Sequence, residues 1–194
     1  MISPLSPASS PSPAAVDSYR LRPVREADAP ALLEAYSSAP DMARQGTVTT
    51  LEQASEQVAW LLSTERRATA IVDENDTLVG LVALSIDEEN RNGWFFYWLH
   101  AAHRGQGLAA RAATAVADRA LSPAAAGGWG LGRLELGHRA NNPASGAVAR
   151  AAGFVHEGTE RGKFLVGGER LDVLTYGQLV DDPRPTATGL PWLP

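Results

Sequence analysis

Beyond Arg67 the chain passes through three strand-like stretches separated only by short polar turns. They are ATAIVD, LVGLVALSI (residues 78 to 86) and WFFYWL (residues 94 to 99), with ENDT and DEENRNG between them. Turns this short join antiparallel neighbours, because a parallel pair needs a crossover of about a dozen residues or more. An earlier alternating stretch, YRLRPV at residues 19 to 24, reads as a further strand. Four strands are therefore in place before any strand–helix–strand unit can begin, which excludes an all-parallel sheet.

Helical signals occupy the remainder. Asp28 stands as an N-cap before Ala29 and Pro30, and Leu32, Leu33 and Tyr36 recur at helical spacing as far as the breaker Pro40. Thr50 with Gln53 three residues on is a capping-box pattern, opening a helix with Leu51, Ala54, Val58, Leu61 and Leu62 on one face. DMARQGTVT, between these two helices, is expected to be irregular. The alanine-rich run from Leu108 to Leu121 predicts a third helix with Arg111, Thr114 and Asp118 on a polar face. RLELG (residues 133 to 137) alternates like a strand, and Asn142, Pro143 and Gly153 bracket a short fourth helix. FVHEGTERGKFLV, the turn GGE and RLDVLTYG close the chain's ordered part as a long hairpin.

At 194 residues and 44% apolar content the chain supports one core. Its expected extent is residues 19–180, with residues 1–18 a disordered Pro/Ser-rich tail and residues 181–194 a loose C-terminal tail. A formal net charge of −5 offers no broad basic surface, so nucleic acid is not an expected partner. No apolar run reaches the roughly 18 to 20 residues of a membrane span, and no secretory signal opens the chain, so a cytoplasmic address is expected. There is no cysteine, which excludes disulfides, thiolate metal sites and a cysteine nucleophile. His100 and His103 stand three apart while His138 and His156 are scattered, so no metal is expected.

The segment HAAHRGQGLAARA, residues 100 to 112, follows an aromatic strand and opens a helix with glycines at 105 and 107. Glycine there lets successive backbone N–H groups turn into one concavity at the positive end of the helix dipole, which makes an anion cradle suited to a pyrophosphate. Gly105, Gln106, Gly107, Leu108 and Ala109 would supply the donors, and Arg104 would add charge. A plain glycine-rich turn is the bland alternative. Gly105, Gly107 and Ala110 also satisfy the dinucleotide fingerprint, but the antiparallel lead-in is wrong for it and the following strand ends in Gly137 and His138 without a ribose-binding carboxylate. A Walker loop fails, because the single lysine, Lys163, is followed by Phe164 and has Glu157 where the first glycine belongs.

These residues resemble the GNAT superfamily of acyl-CoA-dependent N-acetyltransferases, and within it the RimJ/RimL-like branch. Arg104, Gly107 and Ala109 correspond to the family signature Q/R-x-x-G-x-G/A, and Asn142, Pro143, Ala144, Ser145 to the branch's N-x-x-S. LRPVREADAPALLEAY, YWLHAAHRGQGLA and ANNPASGAVARAAGFVHEG are also family-like, so the resemblance covers about residues 19 to 180. The fold it implies is α+β, GNAT-like: a mixed, mostly antiparallel seven-stranded sheet with helices on both faces and a V-shaped split between the fourth and fifth strands.

The resemblance further implies that acetyl-CoA is the cosubstrate. Its pyrophosphate would lie on the Arg104 to Ala109 backbone and its pantetheine arm against the backbone of Leu99, His100 and Ala101. Direct attack by a primary amine follows, most plausibly the N-terminus of a protein or peptide. A small-molecule amine is the alternative acceptor, and a non-catalytic acyl-CoA-binding module the alternative function. Ser145 matches a residue that protonates or hydrogen-bonds the departing thiolate, and Asn142 one that contacts the cofactor arm. Both equally suit a helix N-terminus. No residue matches the family's usual base; Glu135, beside the gap, is the candidate. The linker 38–50 and the hairpin 161–170 would build the acceptor side. Asp172 resembles a position near that cleft, with a salt bridge to an arginine as its alternative. The block from Trp94 to Trp98 is expected to pack in the core. A homodimer is compatible with the sequence and not required by it.

Overall fold

The computed structural model describes residues 18–194. The tail expected over residues 1–18 thus lies, apart from Ser18, outside the described residues. The strands are β1 (Arg20–Pro23), β2 (Arg66–Val72), β3 (Leu78–Asp87), β4 (Asn92–Leu99), β5 (Arg133–Arg139), β6 (Val155–Val166) and β7 (Glu169–Leu179). The helices are α1 (Ala29–Ser37), α2 (Leu51–Leu61), α3 (Leu108–Leu121) and α4 (Pro143–Ala151). All seven strands form one sheet in the order β1-β2-β3-β4-β5-β7-β6. Every neighbouring pair is antiparallel except β4 and β5.

That parallel pair opens a split in the sheet. It is in register over three residues only, Asn92↔Arg133, Gly93↔Leu134 and Trp94↔Glu135, after which the strands separate. The expected mixed sheet with a V-shaped split is the one observed. Side-chain alternation along β4 feeds two cores: Phe95 and Leu99 join the cluster under α3 and α4, with Tyr97 packed against it, while Trp98 joins the cluster under α1 and α2, with Phe96 packed against it.

Three local expectations change. Asp28 occupies the N-cap position of α1, yet its carboxylate makes no cap bond. It accepts instead from both terminal nitrogens of Arg22, at 2.8 and 2.7 Å, and from the Arg25 N–H at 2.8 Å. Arg22 is buried, and a buried guanidinium requires a carboxylate partner more strongly than a helix end requires a cap. The linker expected to be irregular forms a 3-10 turn over Pro40–Gln45, which sinks Met42 into the α1–α2 core. The tail expected to be loose returns to β1: Leu21 N–H donates to Pro191 O at 2.9 Å, Leu193 N–H donates to Leu21 O at 2.7 Å, and Leu190 is buried. It also covers part of the face of α3 expected to be polar, where Thr114 is buried and satisfies its hydroxyl on Ala110 O. An edge strand with free N–H and C=O groups is a pairing site, and this segment fills it.

Candidate active site

Opposite the split, the chain enters α3 through Gly105 and Gly107, whose φ angles of +79° and +76° belong to the left-handed region. A Cβ at either glycine would meet nothing within 4 Å, so both face open space. Gly107 is the N-cap of α3 and, having no side chain, caps nothing. The helical bonding begins with Arg111 N–H, which donates to Gly107 O, so the preceding first-turn N–H groups point out of the helix without an intrahelical acceptor. These donors and the helix dipole open onto a cavity of about 440 Å³, lined in part by Gly105, Gly107, Leu108 and Ala109. Gln106 does not line it.

The cavity continues to the free edge of β4. His100 N–H donates to Val79 O at 2.9 Å, and the antiparallel register pairs Gly80 with Leu99 and Leu81 with Trp98. Residues 100, 98 and 96 therefore bond to β3, while the N–H groups of Leu99 and Tyr97 point into the split beyond the last β4–β5 pair. Of the three backbone positions expected to meet an extended arm, only Leu99 lines the cavity. His100 N–H is committed to β3, and Ala101 N–H donates to Ser38 Oγ at 3.1 Å.

The far wall is the start of α4. Asn142 caps that helix, its side-chain oxygen accepting from Ser145 N–H at 3.4 Å, and Pro143 removes a further donor. Asn142 and Ser145 both line the cavity, as does Tyr97. The Tyr97 hydroxyl lies 2.7 Å from Ser145 Oγ and donates within 2.8 Å of the Ser145 carbonyl oxygen. Burial pushes the Tyr97 phenol up to about 12, against a downward pull from the Ser145 hydrogen bond. Assigning the whole aromatic block to core packing overlooks this residue. Strand alternation separates Tyr97 from Phe96 and Trp98, but only the docking of α4 brings a serine to its hydroxyl.

Two expected site residues are engaged elsewhere. Arg104 lines the cavity, but its guanidinium is turned towards the 40–45 segment, donating to both Asp41 carboxylate oxygens at 2.9 and 3.0 Å. It also donates to Met42 Sδ at 3.1 Å and, through Nε, to Leu99 O at 3.1 Å. Glu135 sits at the closed end of the split beside Trp94, accepts from Arg133 Nε at 2.9 Å and does not line the cavity. A base must come within reach of the amine, and Glu135, although its second carboxylate oxygen is unoccupied, lies outside the cavity, so the structure does not support it in that role. Arg133 also grips Glu157, whose carboxyl it holds below the usual range. Asp172 forms no salt bridge with an arginine among the described residues. It accepts from Gly162 N–H at 2.7 Å, bracing β6 where its register shifts. Among the described residues no group of three or more His, Cys, Asp or Glu is arranged to hold a metal, and no helix is long and apolar enough to cross a membrane.

A split sheet, an uncapped helix at its mouth and a free strand edge between them define an acyltransferase-type architecture, and over residues 19–155 the chain matches the Acetyltransferase (GNAT) domain. It belongs to the GNAT acetyltransferase family. A ribosomal-protein-serine acetyltransferase of Escherichia coli (strain K12) is 29% identical over 112 residues, 57% of this chain. The match spans 60% of that relative's length. Among solved structures, RimL, a ribosomal L7/L12 alpha-N-protein acetyltransferase in complex with coenzyme A, aligns with a TM-score of 0.74 at 23% identity, over 84% of this chain and 95% of its own. A ribosomal-protein-S5-alanine acetyltransferase from Vibrio fischeri aligns at 0.71 and 22% identity, over 87% and 96%. A dodecameric spermidine N-acetyltransferase from Vibrio cholerae aligns at 0.65 and 21% identity, over 84% and 94%. At these identities the solved structures establish a shared fold.

Proposed function

We propose that the chain transfers the acetyl group of acetyl-CoA directly to a primary amine, and that its amine is the N-terminus of a protein or peptide. The observation that carries this reading is the uncapped first turn of α3 opening into the same cavity as the edge of β4 that β5 leaves, where the Leu99 N–H is not bonded to β3. The first provides backbone donors for a diphosphate. The second provides the Leu99 N–H, a donor for an acyl oxygen that becomes negative as the amine attacks. Acetyl-CoA is consumed as a substrate and supplies an activated thioester. The protein holds the two reactants in line, excludes competing geometries and offers Ser145 to the leaving sulfur.

The choice of amine follows from what the cavity lacks. Among the described residues that line it, Asp41 is the sole carboxylate, and it is bound to Arg104. A site without a free base favours an acceptor that arrives already neutral. At pH 7.5 about a third of α-amino groups are unprotonated, against roughly one lysine-type amine in a thousand. The relative that acts on ribosomal-protein serine points the same way.

A panel of peptides with free or blocked N-termini, together with spermidine, tests the reading by thiol release. The absence of cysteine removes any background from the enzyme itself. Free N-termini are expected to react, blocked ones not, with kcat/KM rising as pH passes the acceptor's own pKa near about 8. Turnover of spermidine alone would replace the peptide assignment with a small-amine one. Tight coenzyme A binding without turnover of any amine would make the chain an acyl-CoA-binding module.

A further inference from the structure

We propose that Tyr97 and Ser145 form a paired hydroxyl switch, in which Tyr97 positions the Ser145 hydroxyl and frees its O–H to turn and hydrogen-bond the departing sulfur as the thioester breaks. The inference rests on reading the cavity as an acetyl-CoA site. Its basis is a count of protons. Three oxygens meet here: Tyr97 Oη, Ser145 Oγ at 2.7 Å and the Ser145 carbonyl oxygen at 2.8 Å. Between them they carry two protons, one on each hydroxyl.

Two arrangements satisfy the group. In the first, Tyr97 donates to the Ser145 carbonyl and Ser145 donates to Tyr97 Oη, so both protons stay within the group. In the second, Tyr97 donates to Ser145 Oγ, and the Ser145 proton is free to point into the cavity that both residues line. The two differ only by rotation about two C–O bonds. No proton leaves its oxygen, which matters because burial makes the Tyr97 phenol difficult to ionise. A developing thiolate favours the second arrangement, since a hydrogen bond to a charged acceptor is about twice as strong as a neutral one.

In the transfer itself the amine nitrogen bonds to the acyl carbon, the C–S bond breaks and its electron pair leaves on sulfur. Ser145 Oγ–H donates to that sulfur, which takes up from water the equivalent of the proton the amine has lost. Without the Tyr97 hydroxyl, a first-turn serine turns its proton to nearby backbone acceptors instead. The pair is placed by two elements far apart in sequence, β4 and α4, and the α4 side is held in register by the Asn142 cap.

Tyr97→Phe removes one oxygen and retains the ring that packs edge-on against Phe95 at 6.2 Å. Tyr97→Phe and Ser145→Ala are each expected to lower kcat about 10- to 100-fold, the loss of one hydrogen bond to a charged group, with KM for acetyl-CoA within about twofold. The double variant is expected to be no slower than the slower single one, because both act on one proton. Coenzyme A affinity by calorimetry and the melting temperature accompany each rate. Wild-type kcat in Tyr97→Phe with a slow Ser145→Ala overturns the switch and leaves the cofactor reading standing. Multiplicative losses in the double variant overturn it by making the roles independent. So does a Tyr97→Phe that loses coenzyme A affinity and melting temperature together, which marks a packing role. Failure of the wild-type protein to bind coenzyme A is the separate failure of the underlying reading.

Discussion

The N-termini of α3 and α4 face one cavity and are built in opposite ways. At α4 the chain finishes its own helix: the Asn142 side chain accepts from Ser145 N–H, and Pro143 removes a donor that would otherwise need a partner. At α3 it leaves the helix open, with a glycine in the left-handed region at the N-cap and no side-chain cap. A capped helix end is rigid and suits a side chain whose direction matters, here Ser145. An uncapped end keeps its donors for a ligand. Of two similar helix starts, one serves geometry and the other binding, and the difference lies in whether the sequence supplies a cap.

The strongest way to break this comparison is to occupy the open end. Gly107→Glu puts a Cβ and a carboxylate into the cradle, at a φ of +76° that side chains rarely adopt. The added charge repels a diphosphate and competes for the same N–H groups. Coenzyme A affinity by calorimetry is expected to fall at least about 100-fold, the scale of losing several charge-assisted hydrogen bonds. Unchanged affinity would remove α3 from the binding site.

The closed end is expected to respond differently. Asn142→Ala removes the side-chain acceptor of the Ser145 N–H at 3.4 Å but leaves the Asn142 carbonyl at 3.1 Å, so the cost by thermal or denaturant unfolding is expected at the low end for an N-cap, about 0.5 kcal/mol. Coenzyme A affinity is expected to fall no more than about tenfold, since one side-chain contact is lost rather than the cradle. A fall as deep as that of Gly107→Glu would show that the capped start of α4 carries as much of the cofactor binding as the open start of α3.

Much of this contrast is legible in the sequence itself. Glycines at 105 and 107 ahead of an alanine-rich run, and Asn-Pro ahead of another helix, announce an open and a closed start because caps are local chemistry. The strands are equally legible, since a period of two and short polar turns leave one way to pair β2, β3 and β4. What escapes is decided by residues remote in sequence. Asp28 carries every local mark of a cap, yet buried Arg22 claims it. The Pro- and Gly-containing C-terminal segment reads as loose, yet β1 has a free edge that it fills. Tyr97 lies 48 positions from Ser145, and no pattern within either segment relates the two. The V-shaped split is likewise absent from local periodicity and enters through the family resemblance alone.

Arg104 gives the smallest expected effect on cofactor binding and the sharpest test of how the open end works. Its charge, read from sequence, belongs to the phosphate. In the structure its guanidinium ties the turn at 40–45 to the end of β4 through Asp41, Met42 and Leu99 O. The Arg104–Asp41 pair is over a third exposed on each side, so its Coulomb energy is screened and its removal costs little stability. If backbone donors hold the diphosphate, Arg104→Ala is expected to leave coenzyme A affinity within about threefold, less than one full charge-assisted hydrogen bond. It is expected to raise KM for the peptide acceptor by a larger factor, because the 40–45 segment that it anchors borders the cavity. The reciprocal Asp41→Ala is expected to match it in KM, and the double variant to add little, as two ends of one tether. A fall in coenzyme A affinity that steepens at low salt for Arg104→Ala, but not for Asp41→Ala, would return the guanidinium to the phosphate and make the cradle depend on a side chain after all.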